Sequence, residues 1–304
     1  MATLSRAQLF KELLPGLNAL FGLEYKKYED EHLAIFDIET SERSFEEEVK
    51  LAGLGAAPVK EEGASIQYDN GQEAWVARYT HETVAYGFAI TEEAMEDNLY
   101  DSLSARYTKG MARGMAYTKQ VKGAAILNNG FSSSYTYGDG VALFSTAHPL
   151  TNGGTNANKP STDTDLSELA LENAYIGIAQ WVDERGLLIA AKPRRLVIPA
   201  NLTFEAERIL KTPGRVSTAD NDLNALKNLG TIPEGYYVNH YLTDTNAWFI
   251  KTDIPNGLKH FVRVPIATSM DGDFDTGNVR YKARERYSFG VSDALGFYGS
   301  SGSS

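Results

Sequence analysis

A chain of 304 residues with 42% hydrophobic and 23% charged side chains has ordinary globular composition and is long enough to bury a core without covalent staples. It contains no cysteine, which removes disulfides, thiolate metal sites and cysteine nucleophiles together and suits assembly in a reducing cytoplasm. The formal net charge of −11, from 40 acids against 29 bases, excludes a uniformly basic nucleic-acid binder, and no apolar run approaches the ~20 residues of a membrane helix.

The first residues lack the apolar core and cleavage site of a signal peptide. They read as a short amphipathic helix from Arg6 to Leu14, a break at Pro15-Gly16 and then a polar arm, with Leu33–Ile38 as a short strand. Between Glu24 and Glu48 ten acids face three bases, so most of the net charge sits in one stretch, either a solvated face or a surface for a partner. Residues 45–62 surround a glycine-rich centre, Gly53-Leu-Gly55-Ala-Ala-Pro58. Ala64 to Tyr86 is β-prone, through Ile66, Tyr68, Trp75, Val76, Tyr79, Thr83 and Val84. Gly63 and the turn signal Asp69-Asn-Gly71 break it into hairpin-like arms. Such a hairpin is too polar at its tip to form a core and needs a neighbour.

From Thr91 to Asn129 there is no proline, and Met95, Leu99, Leu103, Tyr107, Met111, Met115, Val121 and Ala125 recur near a 3.6 period. Acids crowd the start and bases the end, complementing the helix dipole, and Gly130 is placed to cap it. At 1.5 Å per residue this helix reaches up to about 58 Å, the length of a scaffold strut. Gly110-x-x-x-Gly114 inside it is surrounded by charge and is no membrane motif. Residues 131–160 form a loop region. Asp165-Leu-Ser-Glu168 opens a second helix reaching Arg185, with Gly186 as its stop. A buried-type strand at Arg195–Ile198 precedes helices near Leu202–Leu210 and Asp222–Leu229. Tyr236–Thr252 alternates as a hairpin turning at Asp244-Thr-Asn246. Gly257–Ala267 and Val279–Val291 are long strands, and the Gly-Ser end after Tyr298 is a flexible tail. Strands and helices do not alternate regularly and nothing repeats, so the class is α+β.

No enzyme chemistry is marked. The five histidines are scattered, and the hydrolase elbow, dinucleotide loop and phosphate loop are all missing. Asp271-Gly-Asp273-Phe-Asp275-Thr-Gly277 misses the EF-hand pattern and reads as a turn with at most weak cation binding. No catalytic, cofactor or metal residue is assigned. One constellation stands out: Arg280, Lys282, Arg284 and Arg286 occupy every second position. On a strand they share one face about 7 Å apart, while Tyr281, Ala283, Glu285, Tyr287, Phe289 and Val291 take the other. A cationic row is either a solvated strand face or has something acidic opposite, nucleic-acid phosphate or the Glu24–Glu48 block of this or another copy.

The segments Leu143-Phe-Ser-Thr-Ala-His-Pro149, Trp181-Val-Asp-Glu-Arg-Gly186, Leu196-Val-Ile-Pro199 with Ala206-Glu-Arg-Ile-Leu210, Thr218-Ala-Asp-Asn-Asp222 and Gly272-Asp-Phe-Asp-Thr-Gly-Asn-Val-Arg-Tyr281 resemble major capsid proteins of tailed bacteriophages, in particular major head subunits related to those of Mu-like phages. The resemblance runs from about Leu51 to the C-terminus. It implies the Hong Kong 97-like fold: an N-terminal arm (1–43), an extended β-hairpin loop (44–86), a peripheral domain (87–192) with a spine helix (91–129), an axial domain (193–259) and C-terminal strands (260–304) returning to those domains. It further implies an icosahedral head shell of hexamers and pentamers around double-stranded DNA, held without sequence-specific contacts or a membrane, with portal, cement and scaffold proteins as partners. The early start of the spine leaves little room for a built-in scaffold, so a separate one is expected, and no arm cleavage. Gly53, Gly55 and Gly63 would hinge the loop. Lys50 and Lys60 lie where some members cross-link to a neighbour's asparagine, but no matched asparagine–glutamate setting accompanies them. Inter-subunit contact candidates are Arg280, Lys282, Arg284, Arg286, Glu46, Glu47, Glu48, Lys60 and Trp75. An encapsulin-type compartment shares the fold and is the alternative; a monomeric hydrolase is a third reading without a motif.

Overall fold

Two long antiparallel strands, β10 (Leu258–Gly272) and β11 (Val279–Val291), frame the chain. The computed structural model describes residues 6–91, 93, 100–214, 222–273 and 276–303. Alternation decides how β11 sits: Tyr281, Ala283, Glu285 and Tyr287 are buried, while Arg280, Lys282 and Arg284 are exposed and Arg286 half-buried. On one side β11 pairs with β4 (Glu82–Ile90), and β10 pairs in parallel with the short β1 (Asp37–Thr40), giving the order β1-β10-β11-β4.

The buried face of this sheet is closed by two helices. Helix α1 (Arg6–Tyr25) runs straight through Pro15-Gly16, where the sequence suggests a break. Leu17 and Phe21 bury against Met111, Ala112, Met115, Tyr281 and Ala283, and that burial outweighs the local proline and glycine penalties. The long helix α2 (Tyr100–Asn128) spans about 43 Å at 1.5 Å per residue. Its expected beginning, with Met95 and Leu99, lies outside the described residues. Met111 and Met115 are buried as expected, but the rest of the buried stripe runs through Ser104, Thr108, Ala112, Ala116, Gln120, Ala124 and Leu127, whereas Tyr107 and Val121 are exposed. Alanines at 112, 116 and 124 let α1 and the sheet approach closely, while Tyr107, Tyr117 and Val121 turn outward. Gly130 is no left-handed cap. A Cβ there would stand 2.7 Å from the Phe144 ring, so the residue is small because Phe144 lies on it.

The segment expected as a strand at Leu33–Ile38 instead begins as a 3-10 turn, Glu31–Ala34, before β1. The hairpin also differs from the expected one. Strand β2 (Phe45–Ala52) pairs with β3 (Gln72–Thr80), joined by a long link over 53–71, so the partner of β3 lies upstream rather than across Asp69-Asn-Gly71. Of the proposed hinge glycines only Gly63 has a left-handed backbone, with φ +79°.

After α2 a short antiparallel pair, β5 (His148–Pro149) and β6 (Thr155–Asn156), stands apart. The second sheet has the order β12-β9-β7-β8, from Phe297–Ser300, Trp248–Thr252, Pro193–Ile198 and Tyr236–Val238. Strands β8 and β9, expected as a hairpin, flank β7 on opposite sides, β8 parallel to it and β9 antiparallel. The supposed tail is a strand: Tyr298, Gly299 and Ser300 are buried. Helix α3 (Glu168–Ala179) starts at Ser167, whose hydroxyl accepts from Ala170 N–H, and stops well before Arg185. The following residues instead fold into a tight loop bridging Val182 and Leu188, with Gly186 at φ +85°. Helices α3, α4 (Thr203–Lys211) and α5 (Ala225–Leu229) cover one face of this sheet, burying Leu171, Ile178, Leu196, Ile198 and Trp248. Its other face joins Ile35, Phe36, Leu127 and Phe144 around Phe249, which locks the end of α2 between the two sheets.

A candidate assembly surface

The outer face of the first sheet is divided in two. Near its base β3 lies across it: Tyr79 packs edge-on to Phe261 at 4.8 Å, and a Cβ at Gly290 would stand 2.5 Å from the Tyr79 ring, so only glycine admits that crossing. His81 marks the edge of the covered zone, its Nε2 2.9 Å from Ser41 Oγ and its Nδ1 3.0 Å from Ser288 Oγ. Burial first, then the Arg286 and Arg263 cations, hold its pKa below the usual histidine value, with Glu46 opposing them.

Beyond His81 the face is open. Arg286, Arg284, Lys282 and Arg280 stand opposite Thr83, Ala85, Gly87 and Ala89 on β4. On β10 they stand opposite Val264, Ala267, Ser269 and Asp271. Ala85, Gly87, Ala89 and Ala267 are short, and Arg280, Lys282 and Arg284 stay exposed between them. Among the described residues Arg280 is the member of the row with an ion-pair partner, Asp273, at the β10–β11 turn. The same contact puts a cation on the acidic turn weighed as a cation site; Asp275 lies outside the described residues. Arg263 joins the row and escapes sequence reasoning. Strand β10 loses register around Val264, where Pro265 has no N–H for the ladder, and this bulge breaks the alternation that would have flagged it.

Beneath the row, Glu285 is 1% exposed, with Lys119 Nζ 2.6 Å from its Oε2. Lys119 also donates to Tyr25 Oη at 2.8 Å, so α1, α2 and β11 meet at one buried charge pair. Burial raises the Glu285 pKa and Lys119 holds it back.

The acidic block is consumed within the chain rather than set against the basic row. Glu31 bonds His240, Asp37 pairs with Lys251 at 3.0 Å, and Glu39 and Glu48 both reach Lys259. Glu46 accepts from the Ser41 hydroxyl at 2.7 Å and lies 3.9 Å from Arg43, and Glu47 is 3.7 Å from Arg78. Trp75 is half-buried, with its indole edge where a Cβ at Gly138 would be and Lys50 Nζ 4.3 Å from its ring centre. Lys50 is already paired, 2.8 Å from Asp293 and 3.2 Å from Glu184, whereas Lys60 is exposed in the link.

The link itself is anchored from the Trp181–Gly186 loop. Arg185 donates to Gly53 O at 3.0 Å and Asn70 O at 2.6 Å and pairs with Asp69, whose other oxygen accepts from Gly55 N–H at 2.8 Å. Replacing Arg185 by alanine is expected to speed proteolytic cleavage within residues 53–71 at least ~5-fold while moving global stability by under ~1 kcal/mol, because the contacts are exposed. Limited proteolysis followed by mass mapping checks it; unchanged cleavage there would show that Arg185 does not hold the link.

No catalytic group emerges among the described residues. His148 has Asp139 Oδ2 at 2.5 Å on one nitrogen and Asn158 Oδ1 at 2.9 Å on the other, with no hydroxyl nucleophile on its ring. No cluster of three or more metal-ligating side chains occurs, and no helix is long and apolar enough to cross a membrane, among the described residues.

Residues 75–300 match the family described as phage capsid protein. Among solved structures, a virus-like particle from Pyrococcus furiosus aligns at TM-score 0.54 and 12% identity, covering 95% of this chain and 99% of that one. The capsid of an empty GTA particle aligns at 0.56 and 13%, covering 89% of each, and the capsid of Myoviridae phage XM1 at 0.51 and 12%, covering 88% and 89%. No curated protein matches in sequence.

Proposed function

Since the chain belongs to the phage capsid protein family and has the Hong Kong 97-like fold, it is a shell-forming subunit, and we propose that it tiles the icosahedral head of a tailed phage as hexamers and pentamers enclosing double-stranded DNA. The family match over residues 75–300 carries the reading. The exposed hairpin supports it: Val59 is 95% and Tyr68 88% exposed, and Leu51, Val49 and Val76 are uncovered on the same arm. An isolated chain gains nothing by presenting such side chains to water, whereas a neighbouring copy would bury them.

On this reading 1–43 is the arm, 44–86 the extended loop, 87–192 the peripheral domain, 193–259 the axial domain and 260–304 the returning strands. Helix α3 and strand β12 extend the axial core beyond those limits. Assembly takes place in the host cytoplasm. Identical subunits must take two environments, so the choice between them is made by other proteins: a scaffold to set curvature, a portal at one vertex and a cement protein over the joints. The role is structural rather than enzymatic. The encapsulin reading is not favoured.

Electron microscopy of the purified chain is expected to show closed shells. Particles recovered from infected cells are expected to carry the absorbance band of packaged nucleic acid. A chain that stays monomeric at high concentration, with or without a scaffold, would end this reading.

A further inference from the structure

Past His81 the outer face of β10, β11 and β4 carries a row of cations of which Arg280 is paired with Asp273. Among the described residues Arg263, Lys282, Arg284 and Arg286 have no carboxylate within 4 Å, and the Nε atoms of Arg263 and Arg286 are shielded from water with no hydrogen-bond partner. Lys282 and Arg284 are exposed, so their charged donors stay open to an acceptor from outside the chain. The chain also carries acids without partners, at its other end. Lys259, opposite Gly290, meets Glu48; Asp293 meets Lys50; Arg185 meets Gly53 and Asn70. The hairpin therefore leaves the sheet past the Val291 end of β11, while the basic row runs towards the Val279 end. Glu61 and Glu62 are exposed in its link and have no base within 4 Å among the described residues.

Complementary patches at opposite ends of one chain cannot meet within it. They meet between copies, head to tail, and such contacts close into rings when the rotation allows. We propose that Glu61 and Glu62 in the link of one copy seat on Arg263, Arg284 and Arg286 of the next. This rests on the shell-subunit reading and names the residues that set its register. Alternate cations about 7 Å apart suit a narrow acidic ribbon, and the short side chains of Ala85, Gly87 and Ala267 leave room for it. A duplex is a poorer occupant. Its phosphates flank grooves up to about 12 Å wide, whereas this row is one strand across on a chain of net charge −11.

Four chains test it: the parent, Arg284→Glu with Arg286→Glu, Glu61→Lys with Glu62→Lys, and all four changes together. Particle yield is measured by sedimentation and electron microscopy at low and high salt, subunit folding by thermal melting, and particle nucleic acid by absorbance. Each reversed pair is expected to lower yield at least ~10-fold, and the fully exchanged chain to recover to within ~3-fold of the parent, with a weaker salt response than either. Reversed pairs that assemble like the parent would overturn the proposal, as would an exchanged chain that melts normally yet does not recover. Shells that form normally but lose nucleic acid would assign the row to phosphate and overturn it too. If a charge reversal unfolds the subunit, glutamine at the same positions serves: losses from the two sides that do not add support the contact, and additive losses sink it. A parent chain that forms no particles would strike at the shell reading itself.

Discussion

Alanine at position 158 is expected to destabilise the subunit by about 3–5 kcal/mol, because it unpairs several buried groups at once, each worth about 1–3 kcal/mol. Asn158 is wholly buried. Its Nδ2 donates to Leu143 O at 2.7 Å, Ala294 O at 3.0 Å and Phe297 O at 3.2 Å. Its Oδ1 accepts from Ser145 N–H at 2.9 Å and faces His148 Nε2 at 2.9 Å. One side chain thus joins the loop after α2 to the C-terminal strand, and its backbone continues the join through Gly299 N–H to Asn158 O at 3.0 Å. Alanine leaves Leu143 O, Phe297 O and Ser145 N–H without the Asn158 side chain, and Ala294 O with the Phe297 N–H alone. Aspartate should do no better, since it replaces the donor facing three carbonyl oxygens with a charge. Urea denaturation of the dissociated subunit measures the effect, and a loss below about 1 kcal/mol would mean that water or a local shift replaces the network. Particles built from the variant should also fail to anchor β12, which proteolysis at the C-terminus would reveal.

What the sequence disclosed depended on how local the deciding interactions are. Strand β11 was legible because period-2 alternation is a property of the strand itself, and its ends fall at Val279 and Val291 as expected. The partner of β3 was not legible. A turn signal at Asp69-Asn-Gly71 sits next to it, while the true partner is reached across a long link whose closure costs little extra entropy. Asp69 serves that link instead, by accepting from Gly55 N–H. In α2 Tyr107 and Val121 fit the apolar period, but Ala112, Ala116 and Ala124 face inward where α1 and the sheet crowd in, and only tertiary packing decides that. The Gly-Ser end after Tyr298 reads as a tail for the same reason, yet Gly299 and Ser300 are buried. A Cβ at Gly299 would stand 2.8 Å from Phe144, so the small residue marks close packing rather than freedom. At the assembly surface four of the five cations were visible in the sequence, and Arg263 was hidden by the bulge at Pro265.

Methionine in place of Lys119 is expected to cost about 3–5 kcal/mol at neutral pH, the price of a buried carboxylate left without its cation. Glu285 Oε2 has Lys119 and Tyr25 beside it, while its Oε1 has no partner, so among the described residues no second cation stands ready to compensate. The pH dependence separates this from a packing defect. Burial already raises the Glu285 pKa in the folded chain, and Lys119 is the largest influence opposing that rise. A folded-state pKa above the unfolded one means the native chain keeps a proton that the unfolded chain has released. Stability therefore falls as pH climbs from the ordinary carboxylate value through the folded value, and is regained on acidification. Without Lys119 the folded value moves further up, so the variant should lose stability over a wider pH range than the parent and recover most of it in acid. Pairing Lys119→Met with Glu285→Leu removes both the charge and the slope, and the double variant is expected to lie within about 1–2 kcal/mol of the parent or above it. Because the pair sits where α1, α2 and β11 converge, the single variant should also loosen α1, seen as faster amide exchange over residues 14–25, and the double variant should restore it. A single variant with the parent's stability and pH profile would show that Glu285 is solvated in the folded chain, and the convergence of the three elements would then rest on Leu17, Phe21 and Met115 alone.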